Sequence, residues 1–200
     1  MNITWFGQSC FQITTQKNKD NSVKIVIDPF GQGIGLTMPK VEADILLLTS
    51  KDYDLDRIKN KDYFLINEPG EYDVQDVFVQ GIEIESSIFV IEIEGMRLCH
   101  LGCIQRKELQ NEQVEKIGDI DILMVSVGGD VQAASKIISQ IEPKIIIPMC
   151  YHIPKLKIRQ NKVDDFLKIM GGKSVEPQNK LSIKKKDLPR ERKEIIILKT

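Results

Sequence analysis

The stretch that decides the fold reads Ala43-Asp-Ile-Leu-Leu-Leu-Thr49 and continues as Ser50-Lys-Asp-Tyr-Asp-Leu55. Its first part is a continuous apolar run, which is typical of a strand covered on both faces, as in a parallel sheet. Its second part is polar and directly follows that strand. The first part therefore predicts a buried core strand, and the second part, which contains Asp52 and Asp54, is predicted to form the segment that follows it.

Short β-prone runs separated by turn-prone residues fill the first half of the chain and predict a series of strands. These runs cover residues 3–6, 10–15, 23–27, 44–49, 63–66, 77–84, 88–93 and 96–101. Gly95 lies between the last two runs and is consistent with a hairpin turn. Residues 68–71 (Glu-Pro-Gly-Glu) are predicted to form a turn.

The second half of the chain alternates between strands and helices. Apolar side chains recur with helical spacing in residues 107–117, 131–141 and 163–170, and this spacing predicts three helices. Further strands are predicted at residues 121–127, 144–149, 181–183 and 195–198. A strand-rich first half followed by β-α-β units suggests an α/β protein with two sheets faced by helices.

The composition excludes several classes of protein. The chain has 200 residues, of which 42% are hydrophobic and 28% charged, as is ordinary for one globular domain spanning residues 1–200. The formal net charge of -1 gives no global field that would recruit nucleic acid or an anionic membrane. No apolar run approaches the roughly 18 residues of a membrane helix, and the N-terminus does not have the pattern of a signal peptide. We therefore expect a cytoplasmic protein that binds neither nucleic acid nor membrane.

Few residues could act as thiol or imidazole ligands. They are Cys10, Cys99, Cys103, Cys150, His100 and His152. In a reducing cytosol the cysteines are expected to be thiols, and no Cys-x-x-Cys pair predicts a zinc ribbon or a thioredoxin-like site. Cys10 and Cys99 lie in apolar runs and are expected to be inert core residues. His100 is expected to be a hydrogen-bonded core histidine, and His152 a loop residue.

Four groups of motifs occur in order along nearly the whole chain. They are Trp5-Phe-Gly-Gln-Ser-Cys-Phe11 with Val26-Ile-Asp-Pro29, the opening stretch with Asp52-Tyr-Asp54, Glu68-Pro-Gly-Glu-Tyr72 with Cys99-His-Leu-Gly102, and Val125-Ser-Val-Gly-Gly129 with Ile146-Ile-Pro-Met149. Together they resemble the metallo-β-lactamase-fold hydrolases, especially the lactonase-like branch. The resemblance implies a four-layer αββα sandwich with an active site at one edge of the two sheets.

The chain departs from this family at the positions that bind metal. The family's signature after the strand of the opening stretch is His-x-His-x-Asp-His, and here it is Ser50-Lys-Asp-Tyr-Asp-Leu55, in which only Asp54 matches. Gln8 replaces a further histidine, Cys103 replaces the aspartate that bridges the metals, and Cys150 replaces the final histidine. A catalytic zinc needs at least three protein ligands and an open position for water. We therefore expect no binuclear zinc site and no cofactor.

Four side chains remain candidates for the old site: Asp52, Asp54, Cys103 and Cys150. One interpretation makes them neutral replacements in a disused cleft, with Asp54 holding its loop through hydrogen bonds. A second is an atypical Asp/Cys zinc site, since carboxylates and thiolates can both bind zinc. A Cys103–Cys150 disulfide and a nucleophilic Cys103–His152 pair are the remaining alternatives.

The resemblance and the departures together predict a non-catalytic pseudo-hydrolase with a binding or assembly role. The alternatives are a metal-dependent hydrolase with an atypical Asp/Cys site and a metal-independent cysteine enzyme. The fold alone does not name a ligand or a protein partner. A homo-oligomer is one form of assembly, and the loop at residues 30–38 (Phe-Gly-Gln-Gly-Ile-Gly-Leu-Thr-Met) carries apolar residues that either meet a partner or cover the core.

Overall fold

The computed structural model describes residues 1–18, 21–51, 53–84, 87–171 and 175–200. Over these residues the chain forms thirteen strands and three α-helices. The strands are β1 (Asn2–Gly7), β2 (Cys10–Asn18), β3 (Asn21–Ile27), β4 (Ile45–Leu47), β5 (Phe64–Ile66), β6 (Gly70–Val74), β7 (Val77–Ile82), β8 (Ile88–Ile93), β9 (Met96–His100), β10 (Ile122–Ser126), β11 (Ile145–Met149), β12 (Leu181–Ser182) and β13 (Glu194–Ile195). The helices are α1 (Asn111–Ile117), α2 (Val131–Ile141) and α3 (Val163–Ile169).

The strands form two mixed sheets. The six-stranded sheet has the order β12-β1-β2-β3-β4-β5, and the seven-stranded sheet has the order β13-β11-β10-β9-β8-β7-β6. Each sheet combines antiparallel hairpins with a parallel part, which is β3–β4–β5 in the first sheet and β9–β10–β11–β13 in the second. The two sheets and their helices make an α/β sandwich, which confirms the fold class predicted from the sequence.

Alternating side chains explain how the six-stranded sheet is buried on both faces. In β3, Ile25 and Ile27 belong to the large core cluster, whereas Val26 between them belongs to a smaller cluster with Leu46. This is the two-residue period of a strand. All three residues of β4 are buried as well, as its unbroken apolar run predicts.

In the described residues, irregular chain rather than α-helix covers the smaller cluster on the six-stranded sheet. In the loop at residues 30–38, Met38 is buried, and its Sδ lies 3.6 Å from Cys10 Sγ. Ile34 and Leu36 are partly buried and pack against the large core cluster. The backbone N–H of Lys157 also donates to the Ile34 carbonyl at 2.9 Å. The apolar residues of this loop thus cover the core, which is one of the two roles that the sequence leaves open.

Helix α2 has the bounds that the sequence predicts. The side chain of Asp130 accepts hydrogen bonds from the N–H groups of Gln132 and Ala133 at 3.0 and 3.1 Å, so it caps the first turn. The buried face is made of Ala133, Ala134, Ile137, Ile138 and Ile141. Within the described ranges, no helix has the length and apolar character needed to cross a membrane.

Helix α1 begins at Asn111 rather than at residue 107, so the predicted start is wrong. The side-chain amide of Gln140 bonds both the N–H and the C=O of Leu109, at 3.0 and 2.9 Å. Because these backbone groups bond to a side chain of α2, they do not take part in the backbone hydrogen bonds of α1.

Only residues 68 and 69 of the turn predicted at residues 68–71 form a bend, and the other two residues belong to a strand. Strand β6 starts at Gly70 and pairs antiparallel with β7 across a turn at Gln75 and Asp76, both of which have positive φ. It is an edge strand whose residues are exposed or half-buried. An exposed edge strand has little apolar periodicity, so its sequence pattern does not reveal it.

Candidate functional site

The carboxyl ends of β1, β3, β4 and β9 meet at one edge of the sandwich. The strands β1 and β3 end on the same side because both are antiparallel to β2, which lies between them. The segments that follow these strands enclose a cavity of about 420 Å³, to which Gln8, Asp28, Thr49, Cys103 and Gln160 contribute. This is the edge at which the resemblance places the site.

Three residues at this edge adopt a left-handed backbone without being glycine. The φ angles are 51° at Gln8, 47° at Asp28 and 51° at Cys150, and these residues follow β1, β3 and β11 respectively. Such a conformation costs on the order of 1–3 kcal/mol for each residue and clusters at functional sites. Three of the strained backbone positions of the chain thus lie at the edge where the resemblance expects the site.

Asp28 and Thr49 join the ends of β3 and β4. The buried carboxylate of Asp28 accepts one hydrogen bond from the Thr49 backbone N–H at 2.7 Å and another from the Thr49 hydroxyl at 2.6 Å. Gly102, which follows β9, approaches so closely that a Cβ there would lie 2.9 Å from Thr49 Oγ1. Because both of its oxygens bond to Thr49, the Asp28 carboxylate holds the cavity wall together.

Gln8 stands where the resemblance expects a histidine, and its side chain is paired with Gln160. Gln8 Nε2 donates to Gln160 Oε1 at 3.1 Å, and Gln160 Nε2 donates to Gln8 Oε1 at 2.9 Å. The backbone carbonyl of Gln8 accepts from the indole N–H of Trp5 at 2.7 Å and from the N–H of Cys150 at 3.3 Å. These bonds tie the end of β1 to the end of β11 and to the loop that carries Gln160.

Cys103 and Cys150 form a disulfide with a Cα–Cα distance of 6.5 Å, within the range that such bonds span. Cys103 is exposed and Cys150 is buried. The expectation that all four cysteines are thiols is therefore wrong for this pair, because the segments after β9 and β11 place them at the same point of the edge. The disulfide also leaves Cys103 without the free thiol that a Cys103–His152 pair requires, and His152 is exposed on its loop.

Of the two candidate carboxylates, Asp52 and Asp54, the structure describes only Asp54. Asp54 Oδ1 accepts a hydrogen bond from the backbone N–H of Asp56 at 2.9 Å, and the backbone N–H of Asp54 donates to the Pro29 carbonyl at 3.1 Å. Its carboxylate also packs on Gly31. Asp54 thus lies beside the cavity, since Pro29 lines it, and its hydrogen bonds hold the loop. Asp52 lies outside the described residues.

His100 is fully buried and hydrogen-bonded at both ring nitrogens. The N–H of Gly102 donates to Nδ1 at 3.2 Å, so Nε2 carries the proton and donates to the Ser9 carbonyl at 2.9 Å. Burial lowers the pKa of His100, although the nearby Asp28 carboxylate opposes this shift. The ring also packs edge-on against Phe11. These contacts agree with the core role predicted from the sequence.

The two free cysteines are buried. Burial raises the pKa of the Cys10 thiol, and the Asp28 carboxylate raises it further. Burial also raises the pKa of Cys99. Since the thiolate is the reactive form, both residues have the inert character predicted for them.

None of the described residues at the replaced positions offers a free side chain of the kind that holds zinc. Gln8 presents an amide that is already paired, and Leu55 has no donor atom. The sulfurs of Cys103 and Cys150 are bonded to each other, so neither is a thiolate. Within the described parts of the chain, no three His, Cys, Asp or Glu side chains are grouped to hold a metal ion.

Two residues of this edge were not among the sequence-based candidates. Asp28 carries a signal that could have found it, because an acidic residue before Pro29 follows a strong strand pattern within a motif of the resemblance. Gln160 carries no such signal, since its partner Gln8 lies 152 positions away. Only the folded arrangement brings these two side chains together.

Comparisons with known proteins give the same family. The family model of the β-lactamase superfamily domain matches residues 2–150. A Thermotoga maritima protein, proposed to be a zinc-dependent hydrolase of the metallo-β-lactamase superfamily, has 34% sequence identity and a TM-score of 0.83, and the match covers 99% of each chain. None of the curated proteins matches the chain.

Two further solved structures share the fold at lower identity. Igni18, a metallo hydrolase from the archaeon Ignicoccus hospitalis, has 16% identity and a TM-score of 0.65, covering 92% of this chain and 99% of that one. The metallo-β-lactamase fold protein YhfI from Bacillus subtilis has 8% identity and a TM-score of 0.59, covering 98% and 95%. From the family match, the Thermotoga relative and the fold, we conclude that this chain belongs to the metallo-β-lactamase superfamily.

Proposed function

We propose that this chain is a non-catalytic member of the superfamily that acts through binding or assembly at the edge where its relatives hold metal. The proposal takes residues 1–200 as one domain, in line with a relative that matches over 99% of both chains. Its ligand or partner is recognised by the side chains that now line this edge.

The observation that carries the proposal is the Cys103–Cys150 disulfide. This bond joins the sulfur atoms of Cys103 and Cys150, which as thiolates would be the strongest metal ligands among the replaced positions. The Gln8–Gln160 amide pair supports the same conclusion, because Gln8 stands where the family has a histidine and the two amides are hydrogen-bonded to each other. The edge keeps a cavity of about 420 Å³, which is within the size range of small-molecule sites.

A hydrolysis assay tests the non-catalytic role. The purified protein is incubated with a lactone, a β-lactam and a phosphodiester, each with and without added Zn²⁺ or Mn²⁺. The proposal expects no turnover above the rate in buffer under any of these conditions. Turnover that is lost on chelation and restored by metal would contradict it.

The second candidate is a metal-dependent hydrolase with an atypical Asp/Cys site. The Thermotoga relative at 34% identity, proposed to be zinc-dependent, favours this candidate. Reduction of the disulfide would free the Cys103 and Cys150 thiolates, to which Asp52 or Asp54 would add carboxylate ligands. Repeating the assay after reduction separates the two candidates, because only the metal-dependent hydrolase is expected to show zinc-dependent turnover.

The metal-independent cysteine enzyme has a different signature. Turnover that resists chelation but is lost on alkylation of Cys103 would indicate it.

A further inference from the structure

A second cavity lies beside the first, next to the disulfide. It has a volume of about 370 Å³ and shares Cys103, Gln105, Ile158 and Gln160 with the first cavity. Its remaining wall comes from the segment after β10, the segment after Cys103 and the first turns of α2. The volume is within the range of sites that hold a small organic molecule.

The lining of this cavity carries more positive than negative charge. Arg106, Lys107 and Arg159 line it, and Asp130 is its one acidic residue among the described lining residues. Neither Lys107 nor Arg159 forms an ion pair within the described residues. The Asp130 carboxylate caps α2 through Oδ1. The excess of positive charge favours an anionic guest.

Part of the lining is apolar. Ala133, Ala134 and Ile137 of α2 contribute buried side chains, and Val125 adds the end of β10. Apolar lining of this kind excludes water from the body of a ligand, whereas the few polar groups of a lining fix its orientation. A bare inorganic ion would leave the apolar wall unused.

The loop that carries Arg159 is held in place over the cavity. Asn161 donates its backbone N–H to the Gly128 carbonyl at 2.8 Å and its side-chain amide to the Gly129 carbonyl at 2.6 Å. The N–H of His152 donates to the Asn161 carbonyl at 2.8 Å and closes the base of the loop. Arg159 is therefore presented by an anchored loop, which lowers the entropic cost of binding.

The two glycines after β10 differ in how much space lies beside them. A Cβ on Gly128 would collide with the Cys150 carbonyl, so packing requires glycine there. A Cβ on Gly129 would meet nothing within 4 Å, and its φ lies outside the left-handed region. Neither packing nor backbone conformation therefore requires glycine at position 129, and the open space beside it belongs to the cavity wall.

We propose that this second cavity binds a small organic anion, with a carboxylate or phosphate group between Lys107 and Arg159 and an apolar body against Ala133, Ala134 and Ile137. The proposal deepens the binding role proposed above, on which it rests, by naming the class of ligand. It involves no covalent step and no metal.

The test is calorimetric titration of the whole chain with phenylphosphonate and with benzoate, which represent the phosphate and carboxylate sources. Benzyl alcohol serves as the neutral probe of the same shape. Saturable binding of at least one of the two anions, with no binding of the alcohol, is expected. Arg159→Gln should weaken anion binding by about tenfold or more, as expected for one lost charge-assisted bond.

Two further variants make the test specific. Gly129→Val should weaken binding because its side chain fills the open space, whereas Arg192→Gln removes an exposed charge outside the cavity lining and should leave affinity unchanged. All variants are checked for folding by circular dichroism. No saturable binding of either anion, or an Arg192→Gln effect as large as that of Arg159→Gln, would overturn the proposal. If neither anion binds and the hydrolysis assay also shows no turnover, the proposed class of ligand is wrong but the proposed non-catalytic role is not contradicted.

Discussion

Cys103 and Cys150 are covalently joined although the strands that they follow, β9 and β11, are not neighbours. Strand β10 lies between them in the sheet, so the disulfide crosses over its carboxyl end. In the family pattern these two positions are held together by a metal. Here a covalent bond connects them, and it closes a loop with a sequence separation of 47 residues.

The first prediction is that this bond contributes strongly to stability. The Cys103→Ser/Cys150→Ser double variant should lose about 4 kcal/mol of unfolding free energy, the value that loop-closure entropy gives for a 47-residue loop. Urea denaturation followed by circular dichroism measures the loss.

The reductant supplies the control for this prediction. Dithiothreitol should lower the stability of the parent protein toward that of the double variant and should leave the double variant unchanged. A parent protein whose unfolding midpoint does not move on reduction would show that the bond is absent in solution or makes no contribution.

The second prediction concerns pH and rests on the lowered pKa of His100. As pH falls below about 6.5, the usual pKa of histidine, the unfolded chain takes up the proton before the folded chain does. Stability is therefore complete above this pH and declines below it, by at most about 1.4 kcal/mol per pH unit for one proton.

Denaturation midpoints between pH 7.5 and pH 5 measure the slope for the parent, for His100→Gln and for His152→Gln. Glutamine at position 100 keeps a donor for the Ser9 carbonyl, and the decline near pH 6 should flatten in that variant. His152→Gln, the matched change at the exposed histidine, should behave as the parent does. An unchanged slope in His100→Gln would assign the pH dependence to other groups.

The third prediction concerns the loop at residues 30–38. Because Ile34 and Leu36 pack against the core, replacing both with Ser should destabilise the folded chain by about 2 kcal/mol, for two half-buried aliphatic side chains. Ile169→Ser, at an exposed position, should cost less.

Light scattering run beside denaturation decides between the two roles of this loop. The structure leads us to expect the same mass for the parent and the Ile34→Ser/Leu36→Ser variant. An oligomer in the parent that becomes a stable monomer in the variant would instead support an interface at this loop.

Much of the fold could be predicted because local patterns and tertiary packing agree. The unbroken apolar run of β4 and the Asp130 cap of α2 are visible in the sequence, and both elements formed as expected. The failures have a physical cause in long-range contacts. Helix α1 starts late because Gln140 holds the backbone of Leu109, and β6 exists because β7 pairs with it at an exposed edge.

The position of the candidate site could be predicted from the sequence, but the bonds between its residues could not. The loss of histidine is visible at Ser50 and Leu55, and the resemblance places Cys103 and Cys150 at a common point. Whether two cysteines are thiols, metal ligands or a disulfide depends on their distance in the fold, which no local pattern encodes. The Gln8–Gln160 pair and the cavity beside Arg159 likewise depend on where one loop crosses the strand ends.

The measurement that tests the central claim most directly is the metal content of the chain. Protein purified without added metal or chelator is analysed by inductively coupled plasma mass spectrometry, as isolated and again after reduction and incubation with Zn²⁺. Because amide, aliphatic and disulfide groups replace the family's ligands, we expect no stoichiometric zinc, iron or manganese in the isolated protein. Reduction restores two thiols but changes neither Gln8 nor Leu55, so we expect no binding of two zinc ions after reduction either. Two zinc ions per chain, lost together with a hydrolytic activity on chelation, would contradict the account.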